Sequence, residues 1–314
     1  MILRKWVGGA DIKKTGINLE HCVSIIIEIK TCSMKSIIYQ FISITFLFIT
    51  IPVKADAPFP SKEQTGMLLN SKTCVVLEKS LLSYNIYLKK AVEKHWKLTD
   101  YEFITHEEFE ARRTDSKYSF LFLSKAGFEN DDDNIMYNYV NLTLGDTVNN
   151  ISDLPEFAAI PVSYADDYSI DYGYAIGPIV LFIQQHVKNI RDKYLMLSMS
   201  SLKYYNLNTR KINNNELLIA PSDIAPEIRN ENVFRENYRG IFKFVEKDKM
   251  ENIIDENDPD ILFLHVVKPV YETDKGRIFK LILGADGQLY YYNYHYLADE
   301  SFPGFLPGDL KRID

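Results

Sequence analysis

The sequence predicts an α/β protein with mixed sheets (α+β in layout): two tandem, related β-α-β-α-β-β units behind an N-terminal signal peptide. Three observations carry this. Residues 101–124 (YEFITHEEFEARRTDSKYSFLFLS) and 242–265 (FKFVEKDKMENIIDENDPDILFLH) align at a constant offset of 141. The aligned pairs include Phe103 with Phe244, Glu110 with Glu251, and Leu121, Phe122 and Leu123 with Leu262, Phe263 and Leu264. Each copy reads as an aromatic strand, a short charged helix and a second apolar strand, the pattern of a duplicated unit. In both copies helices alternate with strands first and strands run together later, which predicts a mixed sheet with helices mainly on one face. The third observation is an export signal.

That signal begins at the second methionine. From Met34 the chain reads MKSIIYQFISITFLFITIPVKADA: one lysine, an apolar run over 37–51, then small residues. This is the three-part design of a secretory signal peptide. The run falls short of the ~20 apolar residues that a membrane-spanning helix needs. Val53 and Ala55 fit the small-residue positions before a cut, so cleavage is expected between Ala55 and Asp56. Residues 1–33 then read as an upstream extension, 34–55 as the signal peptide, 56–193 as the first unit with a trailing helix, and 194–314 as the second. The alternative is an uncleaved anchor with a short N-terminal tail.

Removing residues 1–55, which hold seven Lys/Arg and three Asp/Glu, leaves 29 basic and 40 acidic groups, a net charge of −11. Such a surface does not attract nucleic acid or an anionic membrane. Cys22 and Cys32 fall in the removed segment, so the mature chain keeps only Cys74 and has no internal disulfide to form. Cys74 sits in the apolar stretch TCVVL and reads as a small buried hydrophobe. With 21 Tyr and 18 Phe, a chain of 314 residues can build a sizeable core.

Residues 56–71, with Pro58, Pro60 and Gly66, read as a loose leader, and 73–77 as the first strand. Over 83–96, Tyr84, Leu88, Ala91, Val92, His95 and Trp96 recur at helical spacing. A strand follows at 101–104. Thr105 with Glu108 three residues on forms a capping box for a short helix anchored by Phe109. The continuous apolar run 119–123 reads as a strand covered on both faces. The turn ENDDDN (129–134) should be solvated, and 136–144 and 157–163 give further strands, the last at an edge because of Pro155 and Pro161. Ile176, Ile179, Val180, Ile183, Val187 and Ile190 line the clearest helix, with Pro178 in its first turn. A hairpin is expected around the polar patch NLNTRKINNN, within 195–218. The second unit then runs from 216, closing in a hairpin at 284–287 (GADG).

The order of elements resembles the amino-terminal domain of the periplasmic Tol-system protein TolB and related envelope α/β modules. That resemblance is one of layout. It carries over no site residues and no function.

No H-E-x-x-H, G-x-S-x-G, Walker loop or strand-following G-x-G-x-x-G occurs. The five histidines of the mature chain (His95, His106, His186, His265, His295) are never three or four residues apart, so no helix presents a two-histidine metal pair. No cofactor is expected. Asp131, Asp132 and Asp133 lack the spacing of an EF-hand and read as a solvated turn rather than a calcium site. Two aromatic clusters stand out. Tyr290, Tyr292, Tyr294 and Tyr296 fall on one face of the last strand. The loop YADDYSIDYGY sets Tyr164, Tyr168, Tyr172 and Tyr174 among Asp166, Asp167 and Asp171. Carboxylates hold a loop at the surface, and the rings beside them are expected to be exposed contact area for a partner.

These features point to an exported, periplasmic or extracellular, non-catalytic binding or interaction protein of a cell envelope. The loop is its candidate surface and an envelope protein or glycan its partner, with no stable membrane anchor after cleavage. The competing class is a secreted hydrolase whose site is assembled from Asp166, Asp167, Asp171 and His265.

Overall fold

The computed structural model describes residues 4–6, 59–128, 131, 135–167, 169–269, 275–297 and 302–314. The signal-peptide span, the cleavage point at Ala55 and Asp56, and Tyr168 lie outside the described residues. So do Asp132 and Asp133.

A three-residue strand β1 (Arg4–Trp6) comes first and pairs antiparallel with the segment Ala126, Gly127 and Phe128. Where the sequence suggested a loose leader, the chain forms helix α1 (Lys62–Leu69). Ser61 and Gln64 explain the difference. The Gln64 amide donates to Ser61 Oγ at 3.0 Å and the Ser61 amide to Gln64 Oε1 at 2.8 Å, a complete capping box. The first half continues with β2 (Lys72–Val76), α2 (Leu82–His95), β3 (Tyr101–Ile104), α3 (His106–Arg112), β4 (Tyr118–Phe128), β5 (Tyr137–Leu144) and β6 (Glu156–Tyr164). Helix α4 (Gly173–Asp192) and α5 (Tyr194–Asn206) lead to the second half. That half comprises β7 (Glu216–Ile219), α6 (Glu231–Asn237), β8 (Ile241–Phe244), α7 (Lys247–Ile254), β9 (Ile261–Val267), β10 (Gly276–Gly284), β11 (Leu289–Leu297) and α8 (Pro307–Ile313).

Both sheets are mixed and both repeat one layout. The first runs β3-β2-β4-β5-β6 and the second β8-β7-β9-β10-β11. In each, the first three strands are parallel and the last two antiparallel. The expected capping box of α3 is present, with Glu108 N on Thr105 Oγ1 and Thr105 N on Glu108 Oε2. The 284–287 hairpin is present too, with Gly287 at φ +83°.

Burial assigns the faces. In the first sheet Phe109 of α3 packs on Cys74, Val76, Ile104, Phe120 and Phe122. Val75, Leu121 and Leu123 turn the other way, toward α2 and α4. In the second sheet Met250 and Ile254 of α7 pack with Leu218, Val245 and Phe263 in that same central core. Leu217, Ile219, Leu262 and Leu264 turn outward, toward Phe234 of α6 and the C-terminal segment of Phe305, Leu310 and Ile313. Side chains alternate along a strand, so matching faces mean matching register. Phe103 and Phe244 both lie on the face away from the short helix. Helices cover both faces of each sheet, correcting the expectation of one covered face. Each β-α-β crossover swings to its own side, and the two crossovers of a half run in opposite directions across the first strand.

Helix α4 is buried on nearly all sides, packed by α1, α2, β6, α5 and α7. Twelve of its buried residues are apolar, glycine or amide; the thirteenth, His186, stacks on Phe182 with ring centroids 5.5 Å apart. Among the described residues no helix is long and apolar enough to cross a membrane.

Three further expectations change. The hairpin expected within 195–218 is α5 followed by a 3-10 segment (Leu207–Asn214). The asparagines that suggested a turn instead finish a sheet edge. Asn206 exchanges two hydrogen bonds with the backbone of Tyr292, and Asn208 Nδ2 donates to Leu289 O at 2.9 Å. Asp131, expected in solvent, is buried and paired with Arg277 Nη2 at 3.0 Å, while Tyr137 donates to it at 2.8 Å. The tyrosines of β11 do not share one face, because the register against β10 shifts between Ile282 and Leu283 and skips Tyr290. That bulge sends Tyr290 and Tyr291 outward and Tyr292 and Tyr294 inward, against Phe279.

Candidate functional site at the strand ends around α4

In open α/β sheets, ligands and chemistry gather at the carboxyl ends of parallel strands, where successive crossovers leave on opposite faces. Each half has one such place. In the first, Glu78 follows β2, and His106, the first residue of α3, donates from Nε2 to its Oε1 at 3.1 Å. Asn85 of α2 fixes the backbone there, accepting from Glu78 N at 2.9 Å and donating to Glu78 O at 2.7 Å. Burial pushes the Glu78 carboxyl up from its ordinary value, and His106 and Lys125 pull it back.

In the second half, Asp223 follows β7 through a 3-10 turn (Pro221–Asp223) and is fully buried. Two lysines meet its Oδ1, Lys247 and Lys268, each at 3.1 Å. Lys247 is the first residue of α7 and Lys268 follows β9. The offset of 141 that relates the two sequences carries His106 onto Lys247. An acid after the first strand, held by a base at the start of the second short helix, therefore occurs twice.

The start of α4 lies between these two places. Tyr172, at its N-cap, is buried, and burial pushes its hydroxyl up to about 12. A hydrogen bond to Ser163 opposes that shift, and the charges of Asp167 and Glu78 add to it. Tyr174, two residues later, is buried too, and its hydroxyl is hydrogen-bonded to His265 Nδ1 at 3.3 Å. Its ring meets Phe263 edge-on at 5.6 Å. His265 is only 2% exposed. Burial, reinforced by Lys247, pulls its ring down to about 4 against the opposing pull of Asp223, so the ring is neutral at neutral pH.

The structure divides the predicted loop. Asp166 and Asp171 are exposed and Asp167 is half-buried, its Oδ1 accepting from Ser169 N at 2.9 Å. The rings do not accompany them. Tyr164, Tyr172 and Tyr174 are buried, and Tyr164 donates to Arg277 O at 3.0 Å while packing 4.9 Å from Tyr137. A ring gains more from leaving water than its single hydroxyl loses once that hydroxyl has a partner. Carboxylate and ring therefore separate within a few residues. His265, grouped with the loop carboxylates in the hydrolase reading, takes Tyr174 as its partner instead. Glu78, Asp223, Lys247 and Lys268 escaped the sequence reading. The constant offset points to Lys247 alone, by setting it on His106; Glu78, Asp223 and Lys268 have no charged counterpart at that offset.

Among the described residues no group of three His, Cys, Asp or Glu is placed to hold a metal ion. Comparison with family models, with curated proteins and with solved structures found no match.

Proposed function

We propose that the chain is an exported, non-catalytic binding or interaction protein of a cell envelope, built from a duplicated α/β unit. The observation that carries this is the state of the ionisable groups at the strand ends. Asp223 is held by two lysines, Glu78 by His106, and the buried His265 by Tyr174. A general acid or base must reach a substrate proton. These groups instead tie strand ends, helix starts and α4 together. They support a rigid frame that presents a surface.

The surface offered to the partner is then the carboxylate set Asp166, Asp167 and Asp171, with an envelope protein or a glycan as the partner. The repeated strand order, the shared offset and the paired bases His106 and Lys247 support common descent of the two halves. Export would remove residues 1–55, and β1 with them, leaving the end of β4 without that partner strand.

Two measurements test the proposal. N-terminal sequencing of the exported product should begin at Asp56; a folded, exported product that starts at Met1 would sink the export reading. Affinity capture from the native envelope fraction should recover a partner that an Asp166→Asn/Asp171→Asn variant loses at unchanged melting temperature. Equal capture by parent and variant would remove the loop from the interface.

A further inference from the structure

A cavity of about 310 Å3 lies between the C-terminal half of α4, the end of α5, the 3-10 segment after it and the β10–β11 turn. Its wall carries Lys188, Lys193 and Lys211 and no carboxylate; amides, two tyrosines and Leu289 complete it. We propose that this cavity binds a small multivalent oxyanion, a phosphate ester or a polycarboxylate.

The lysines arrive from three places in the chain: Lys188 from α4, Lys193 from the junction with α5, and Lys211 from the 3-10 segment. Their convergence is therefore a product of folding. Acidic groups outnumber basic ones 43 to 36 in this chain, so a wall holding three bases and no acid runs against the composition. Cations near the C-terminus of α4 complement the negative end of its dipole, which accounts for Lys188 and Lys193. It does not account for Lys211, which belongs to another segment. Among the described residues neither Lys188 nor Lys211 has a carboxylate partner.

The wall is also set in advance. Lys193 Nζ donates to Tyr204 Oη at 2.7 Å and lies 5.3 Å from the centre of that ring. Tyr205 is hydrogen-bonded to His186 Nδ1 at 2.7 Å and packs edge-on against Tyr204 at 5.0 Å. Gln185 and Asn208 donate to the backbone of Asp286 and Leu289. These amides are occupied in holding the walls together, which leaves charge as the main means of recognition. Lysine is a compact, rotatable point charge suited to anions of several shapes. A cavity of this size takes a small molecule rather than a chain segment.

The test is calorimetric titration of the full chain at low ionic strength with pyrophosphate and, separately, with citrate. The expected result is saturable binding of at least one probe, weakened tenfold or more in a Lys188→Gln/Lys211→Gln variant. The preferred probe tells a phosphate-bearing anion from a polycarboxylate. A Lys243→Gln/Lys249→Gln variant lowers the net charge equally at exposed positions on β8 and α7 and should bind as the parent does. Should the first variant fold poorly, Lys211→Glu carries the same expectation. Absence of saturable binding for both probes, or equal weakening in the Lys243→Gln/Lys249→Gln control, overturns the proposal.

Discussion

Replacing Asp223 by Asn keeps the volume of the side chain and removes its charge, leaving Lys247 and Lys268 aimed at a neutral group. Removing one partner of a buried pair costs about 3–5 kcal/mol when the stranded charge stays buried. Here the lysine side chains are 23% and 24% exposed, so each has a route back to water. The expected loss is therefore smaller, about 2–3 kcal/mol. For a chain of this size that lowers the melting temperature by roughly 4–6 °C. Lys268→Gln alone leaves Lys247 in place and should cost about 1 kcal/mol or less. The decisive variant is Asp223→Asn/Lys247→Gln/Lys268→Gln, in which no charge is stranded. It should recover at least half of the loss, because coupled groups do not add. Urea unfolding followed by circular dichroism measures all four proteins. The reasoning fails if Asp223→Asn lies within about 0.5 kcal/mol of the parent, the range of ordinary surface changes, or if the triple variant is no more stable than the single one.

Other expectations can be checked with the same assay. His186 and His265 titrate at about 4 in the fold, below the ordinary 6.5. Between those values the unfolded chain binds protons that the folded one does not. Stability is therefore full above pH 6.5 and falls as the pH drops toward 4, and His265→Gln should make that slope shallower by about one proton. Tyr172→Ala should cost about 3–5 kcal/mol, the range for emptying a buried aromatic site, whereas Asp166→Asn and Asp171→Asn should cost almost nothing. Gly287→Ala should destabilise by more than about 1 kcal/mol. Residue 287 sits at φ +83°, and a Cβ there would lie 2.4 Å from Leu181 Cβ and 2.7 Å from Phe182 N. An unchanged unfolding midpoint would refute it.

Local chemistry was legible in the sequence where a few neighbouring residues decide the outcome. The Thr105–Glu108 cap, the buried stripe of α2 and the apolar stripe of α4 are of this kind, and so is the Gly287 turn. Each depends on a period or a dihedral that the residues themselves impose. The pairing of Asp223 with Lys247 and Lys268 depends on three loops meeting, and no spacing encodes that. The tyrosines around α4 were misread for a related reason. Composition places Tyr172 beside Asp171, but the turn entering the helix sends one side chain to water and the next into the core. On β11 a single bulge at Tyr290 undid an alternation that the sequence displays clearly. In α5 asparagine looked like a turn residue because the sheet edge that uses its amide is about eighty residues away.

The two halves meet the central helix with different sides. The first sheet turns the side opposite its short helix α3 toward α4, whereas the second turns the side that carries its short helix α7. A two-fold axis would require the same side from both, so the contact is heterologous, head to tail. Such a contact does not close on itself. The side of the first sheet left outside corresponds to the one the second sheet uses inside, and the reverse holds at the far end. A stack of this kind needs stops, as the ends of a solenoid do. Both are present. Leu154, with Val148 and Ile151, covers the outer side of the first sheet, and Phe305, Leu310 and Ile313 cover that of the second. Loss of α8 would therefore uncover the apolar side of the second sheet on which Phe305, Leu310 and Ile313 pack, and truncation before residue 302 should leave the chain prone to self-association at that side alone.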